Sequence, residues 1–181
     1  MSLEEALVCH CAPTLAGLKV ASLFRRRAGG DSRPELVRLR QQLAARGLSL
    51  CVLRRQNGSR LLYVYRPAAL ERLLAREEVR RFLAERGYPE GAGRCLGELA
   101  RRLAGRAPFP HEIGLFLGYP LEDVEGFIHH GGRHSRCVGC WKVYGDVAAA
   151  RERFARYAAC TRCYLAQYHR GTPLARLAVA G

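Results

Sequence analysis

Lysine is nearly missing from this chain of 181 residues: among 30 basic side chains only Lys19 and Lys142 carry an ammonium, and the rest are arginine. A formal net charge of +14 invites a nucleic-acid reading, because clustered cations release counterions from phosphate. The arginines are scattered among Ala, Leu and Gly through most predicted helices, so the first reading is a solvated basic surface. The two lysines stand apart, since an ammonium is a compact point charge that can shift its pKa, whereas guanidinium is a permanently charged fork. No run approaches the roughly 20 apolar residues that span a bilayer. The opening Met1-Ser2-Leu3-Glu4-Glu5 is acidic where a secretory signal is basic, so the expectation is a cytoplasmic protein with no membrane association. Internal repeats and low-complexity linkers are absent as well. A chain of this length buries about 70% of its unfolded surface, so one domain over residues 1–181 is expected, with no need of a metal to acquire a core.

Hydrophobic spacing predicts an α+β fold, mostly helical with a small antiparallel sheet. Leu3 to Val8 reads as a short amphipathic turn, and Thr14 as the cap of a helix from about Leu15 to Phe24. Arg25 to Arg33, with Gly29-Gly30-Asp31, reads as a loop. A helix over about Pro34–Arg46 carries Leu36, Leu39 and Leu43 on one stripe and stops at Gly47, a residue suited to a left-handed cap. A hairpin occupies about 48–66, with Asn57-Gly58 at its turn. Helices follow at about 67–74, 77–86, 93–104, 111–117 and 121–130, then a strand at about 141–144 and a helix over most of 147–167.

Cysteine supplies the strongest chemical pattern. Cys137-Val-Gly-Cys140 and Cys160-Thr-Arg-Cys163 form two pairs in a Cys-rich portion, about 134–170, of a chain expected to be cytosolic, where paired cysteines are more often ligands than disulfides. Two such clamps complete a tetrahedral four-thiolate site, with Zn2+ the first candidate and iron or an iron–sulfur cluster the second. Alternatives stay open: Cys137 and Cys140 with another ligand, or Cys160 and Cys163 as small core residues beside Tyr157 and Tyr164. A thioredoxin-like enzyme is disfavoured, because Cys137-Val-Gly-Cys140 precedes a predicted strand and does not open a helix.

Two further segments carry chemistry. Cys11 precedes Pro13-Thr14 at an expected helix start, where the dipole favours a thiolate and His10 and Lys19 add positive charge. From Pro110 to Gly132 there is no Lys or Arg, while Glu112, Glu122, Asp123 and Glu125 accompany His111, His129 and His130. Glu122, Glu125 and His129 share a helix face, read either as a proton or metal site or as a solvated helix start. His111-Glu112 is not an H-E-x-x-H protease motif, since position 115 is Leu. Glu112–Gly114, Leu117–Tyr119 and Val124 also have the rhythm of a helix-turn-helix, but the acids of its second helix would face phosphate with like charge. Cys11, Lys19, His111 and Glu112 form the candidate catalytic cluster, should the fold assemble them.

Three blocks bear a resemblance. His10-Cys-Ala-Pro-Thr-Leu-Ala-Gly-Leu-Lys19, Phe109-Pro-His-Glu-Ile-Gly-Leu-Phe-Leu-Gly-Tyr-Pro-Leu-Glu-Asp-Val124 and Cys140-Trp-Lys-Val-Tyr-Gly-Asp146 resemble the signatures of an uncharacterised bacterial family, a domain of unknown function found mainly in anaerobic Firmicutes. The resemblance spans nearly the whole chain and implies no reaction. The functional expectation is therefore a metal-binding protein with a thiol or redox accessory role, acting on an unidentified small molecule or protein partner. A nucleic-acid-binding protein is the first alternative, and a non-catalytic interaction module with packing cysteines the second.

Overall fold

Ser2 accepts a hydrogen bond from the Glu5 N–H at 3.0 Å and starts α1, which runs Leu3–Leu15 in a computed structural model that describes residues 1–27, 33–105 and 108–180. The loop expected around Gly29-Gly30-Asp31 lies outside those residues. Leu3, Leu7, Cys11 and Leu15 are fully buried, a spacing of four that keeps one helix face against the core. The helix expected to begin at Leu15 ends there instead. Pro13 O accepts the N–H groups of both Leu18 and Lys19, and Gly17 takes the left-handed conformation at φ +77°, the usual device for leaving a helix. Strand β1, Ala21–Arg27, follows. Ala21 and Leu23 pack to one side and Phe24 to the other, a period of two too short in this seven-residue strand to be told from a helix by sequence.

Helix α2, Arg33–Ala44, buries Leu36, Leu39 and Leu43 and is closed by Gly47 at φ +71°. The hairpin of β2, Ser49–Gln56, and β3, Ser59–Tyr65, turns through Asn57 and Gly58, both with positive φ, as a two-residue Asn-Gly turn requires. β3 is the central strand of an antiparallel sheet ordered β1-β3-β2. Its alternate residues serve two cores. Leu62 and Val64 meet α1 and α2 on one face, while Leu61, Tyr63 and Tyr65 face the helices that follow.

Those helices are α3 (Pro67–Leu74), α4 (Glu77–Ala84), α5 (Ala92–Ala104), the single turn α6 (Ile113–Phe116) and α7 (Leu121–His130). Tyr63, fully buried, donates to Phe116 O at 2.5 Å and ties the sheet to α6. A two-stranded hairpin, β4 (Cys137–Val138) with β5 (Lys142–Val143), precedes the long α8 (Val147–His169), and the short α9 (Leu174–Leu177) closes on α1. Asp146 caps α8 by accepting from the Ala149 N–H at 3.0 Å. The fold is thus α+β and mostly helical, with β1 as a strand that the sequence did not announce.

Helix α8 lies along α1 but is barely covered: Ala150 is its one buried residue, while Phe154, Tyr157, Thr161, Tyr164 and Tyr168 form a half-buried stripe. Cys160 and Cys163 sit in the interior of this helix, well before its end. Among the described residues no helix is long and apolar enough to cross a membrane.

Candidate functional site

Arg66 organises the end of α1. Its guanidinium is buried and donates to Thr14 O, Leu15 O and Val179 O, each at 2.8 Å. Thr14 O and Leu15 O belong to the last turn of α1, whose carbonyls a helix leaves without intrahelical partners and where the dipole also favours a cation. Beside them the Thr14 and Ser22 hydroxyls share a buried hydrogen bond of 2.8 Å. The chain between them, Ala16–Val20, is thereby fixed at both ends. It projects Lys19 toward a second turn, Leu117–Pro120, that joins α6 to α7. Gly118 adopts φ +78°, and a Cβ there would lie 3.3 Å from the Val20 side chain, so this glycine permits the two turns to touch.

Lys19 is half-buried, with its Nζ 5.4 Å from the centre of the Tyr119 ring and 5.9 Å from that of Tyr157. Among the described residues no carboxylate pairs with it. Burial pulls the Lys19 pKa down, opposed by the thiols of Cys140 and Cys11 when they ionise. Burial also pushes Tyr119 up to about 12 and raises Tyr157, so both phenols stay neutral near pH 7. Lys19 opens on a cleft of about 420 Å³ between α1, the β4–β5 hairpin and α8, lined also by His10, Pro13, Cys140, Tyr157 and Arg162. None of the residues lining it is Asp or Glu.

The hairpin that delivers Cys140 hangs from Asp123, on the first turn of α7. Its buried carboxylate accepts from Trp141 Nε1 at 2.7 Å through Oδ2, and from the N–H groups of Tyr144 and Gly145 at 2.7 and 2.9 Å through Oδ1. Trp141 stacks on Tyr119, ring centres 4.8 Å apart, and meets Phe154 edge-on at 4.5 Å. A Cβ on Gly126 would collide with Tyr144, and one on Gly139 with Phe154. Close approach of backbone to ring therefore requires glycine at both places. Tyr119 completes the junction by donating its hydroxyl to Cys140 O at 3.3 Å.

The candidate catalytic cluster is divided by this architecture. Cys11 and Lys19 remain neighbours. Cys11, however, lies within α1, fully buried, and burial drives its thiol well above the ordinary range despite Lys19 and a hydrogen bond with Ser22. The helix start that would have favoured a thiolate is at Ser2, so Cys11 is a core residue. Glu112 belongs to a buried network. It accepts from Tyr88 Oη at 2.8 Å and pairs with Arg102 at 3.0 Å, and Arg102 also reaches Glu98 at 2.7 Å and lies over the Tyr88 ring. His111 is exposed between the rings of Phe109 and Phe127, on a different cavity from Lys19.

The four cysteines expected to hold a metal lie on two elements, the β4–β5 hairpin and α8. Cys137 and Cys160 are half-buried and Cys140 and Cys163 exposed. Cys137 packs in the small core of Trp141, Val143 and Ala150, while Cys163 accepts from Gln167 Nε2 within its own helix at 3.2 Å. Among the described residues no three His, Cys, Asp or Glu side chains form a metal-ligating group. Cys160 and Cys163 belong to the continuous helix α8, where thiols at i and i+3 share one face. Glu122, Glu125 and His129 are exposed along α7, with Glu122 accepting from the Asp146 N–H at 3.5 Å. Nor is there a freestanding recognition helix: α6 is one turn with all four residues buried, and α7 lies against β5.

The spacing along the chain could not reveal Tyr119, Tyr157, Asp123 or Arg66 as partners of the site, since each acts across a long stretch of sequence. The one signal was that three resembling blocks, ending at Lys19, Val124 and Asp146, meet at this cleft. The chain belongs to a family described as "Protein of unknown function (DUF3793)", whose model matches residues 7–178. No curated protein and no solved structure matches it.

Proposed function

We propose that this protein binds a small anionic molecule in the Lys19 cleft and holds it beside the Cys140 thiol. The observation that carries the reading is Lys19 itself, an ammonium drawn partly out of water with two tyrosine rings for neighbours and no carboxylate among the described residues to neutralise it. Cation–π contacts recover about 0.5–2 kcal/mol, less than the cost of leaving a buried charge without a counterion. An incoming carboxylate or phosphate supplies that counterion. Arg162 at the rim and the neutral Tyr157 hydroxyl add donors of the right kind. Cys140 places an exposed thiol in the same cleft, which is where a thiol-based accessory role is best supported. The metal centre has no comparable support from the disposition of the four cysteines.

The test uses the intact chain with inorganic phosphate, pyrophosphate and citrate as probes. Alkylation by iodoacetamide, mapped by mass spectrometry, reads Cys140 and Cys163 together, both being exposed. Bound anion should slow modification of Cys140 and leave Cys163 unchanged, and Lys19→Gln should abolish the protection. Equal rates at Cys140 with and without every anion, or protection that survives Lys19→Gln, would overturn the reading.

A further inference from the structure

On the other side of the β4–β5 hairpin from Cys140 lies a second cavity, of about 270 Å³, which the anion-binding reading leaves unused. Its walls come from α6, α7 and the β4–β5 hairpin, and they differ in chemistry from those of the Lys19 cleft. Trp141, Phe127, Tyr119 and His111 present rings, and Ile113 and Val124 supply the aliphatic floor. Gly114 and Gly139 also line it. A Cβ on Gly114 would lie 2.8 Å from Val124 and 3.1 Å from Tyr119, so glycine lets α6 pack this closely against the wall formed by Tyr119 and Val124. Two of the chain's exposed large apolar residues stand at its edge: Val138, which lines it, and Phe109, whose ring packs on His111.

The charges in the walls cancel. Asp123 has both oxygens occupied by Trp141, Tyr144 and Gly145. Lys142 holds Gly132 O at 2.6 Å and lies 5.9 Å from the centre of the Phe127 ring, so the cavity's ammonium is resident. A lining that carries one buried carboxylate and one ammonium offers no net charge to a ligand, unlike the cationic cleft at Lys19. The volume falls just below the roughly 300–1,000 Å³ typical of sites for drug-sized molecules, which limits the occupant to about one ring. Hydrogen-bonding capacity remains at Lys142 and His111, near the aromatic walls.

We propose that this cavity is a binding site for a small uncharged aromatic molecule bearing one hydroxyl, a phenol in chemical class. The ring is held by Trp141 and Phe127, and the hydroxyl is oriented by Lys142 or His111. Aromatic pairs add about 0.5–1.5 kcal/mol beyond area burial, which is where selectivity over a saturated ring of the same size arises.

Trp141 is the chain's one tryptophan, so its indole N–H gives one side-chain signal in an amide correlation spectrum of the full chain. Phenol is titrated against cyclohexanol and benzoate. The expected result is a saturable shift of the Trp141 signal with phenol, weaker binding of cyclohexanol by roughly three- to tenfold, and weaker binding still of benzoate, which brings an unmatched charge. Phe127→Leu should weaken phenol by a similar factor. Because Phe127 is half-buried, the exposed His111→Ala variant serves as a second reporter and should also weaken it. Lys19→Gln should leave phenol binding unchanged, which separates this site from the anion cleft. No saturable shift with phenol, equal binding of phenol and benzoate, or loss of phenol binding in Lys19→Gln would each overturn the proposal.

Discussion

The network at Glu112 and the cleft at Lys19 both withdraw charge from water, and they resolve the withdrawal in opposite ways. Glu112 is met by Tyr88 and by Arg102, which is itself held by Glu98 and by Arg86 O. Every charge there has its counterpart, and the network joins α5 to the turn before α6. Lys19 is surrounded by tyrosine rings and thiols, with neutral phenols and, among the described residues, no carboxylate. Asp123 belongs with Glu112, since its oxygens are filled by three donors. The difference separates groups whose valences the fold itself satisfies from one that the described residues leave without a counterion. A carboxylate in a pocket is thus not by itself a sign of chemistry. The unanswered charge is the informative one.

The comparison is most strongly tested at Asp123. Removing its carboxylate in Asp123→Ala strands three donors, at a cost of about 3–5 kcal/mol. Urea unfolding should show that loss, together with a changed near-ultraviolet signal from Trp141. Retention of wild-type stability would mean that the hairpin does not hang from this residue. At Glu112 the change is smaller. Glu112→Gln keeps an acceptor for Tyr88 but loses the charge pair with Arg102, and should cost about 2 kcal/mol in the same measurement.

Lys19→Met should act in the opposite direction, raising unfolding free energy by on the order of 1 kcal/mol at pH 7, because an unpaired ammonium is replaced by an apolar chain. The sign has a pH signature. Folding lowers the Lys19 pKa, so the unfolded chain holds the proton more tightly and the penalty is present below the folded pKa. It fades as pH rises from there toward the ordinary lysine value of about 10.4. The advantage of Lys19→Met should shrink over that window. A difference independent of pH would show that Lys19 is already neutralised. The smallest effect is expected at Cys163→Ala, where an exposed thiol in mid-helix should change stability by less than about 0.5 kcal/mol, with no change in metal content on elemental analysis. Loss of bound zinc in that variant would restore the thiolate centre.

Much of the architecture was legible one element at a time. The stripe of Leu36, Leu39 and Leu43, the Asn57-Gly58 turn, the glycine stop at Gly47 and the run of helices from Pro67 to His130 all follow from local spacing and turn chemistry. The site was less legible. Cys11 was placed at a helix start because Thr14 resembled a cap, whereas the true cap is Ser2, twelve residues earlier. β1 is hidden because its seven residues, the last three of them arginine, are too few to separate a period of two from one of 3.6.

The sequence by itself determined the α+β class, the identity of most helices, the family, and the fact that its unusual residues cluster in three blocks. These are properties of neighbours along the chain. Only the tertiary structure decided which thiols meet, which carboxylates are already satisfied and which ammonium is left alone. Those outcomes depend on Arg66, Gly118, Asp123 and Gly139 bringing distant turns within hydrogen-bonding or van der Waals reach. Desolvation and pairing are set by what surrounds a group in space, so a cysteine pair or a Glu beside a His carries no fixed chemistry until the fold supplies its partners.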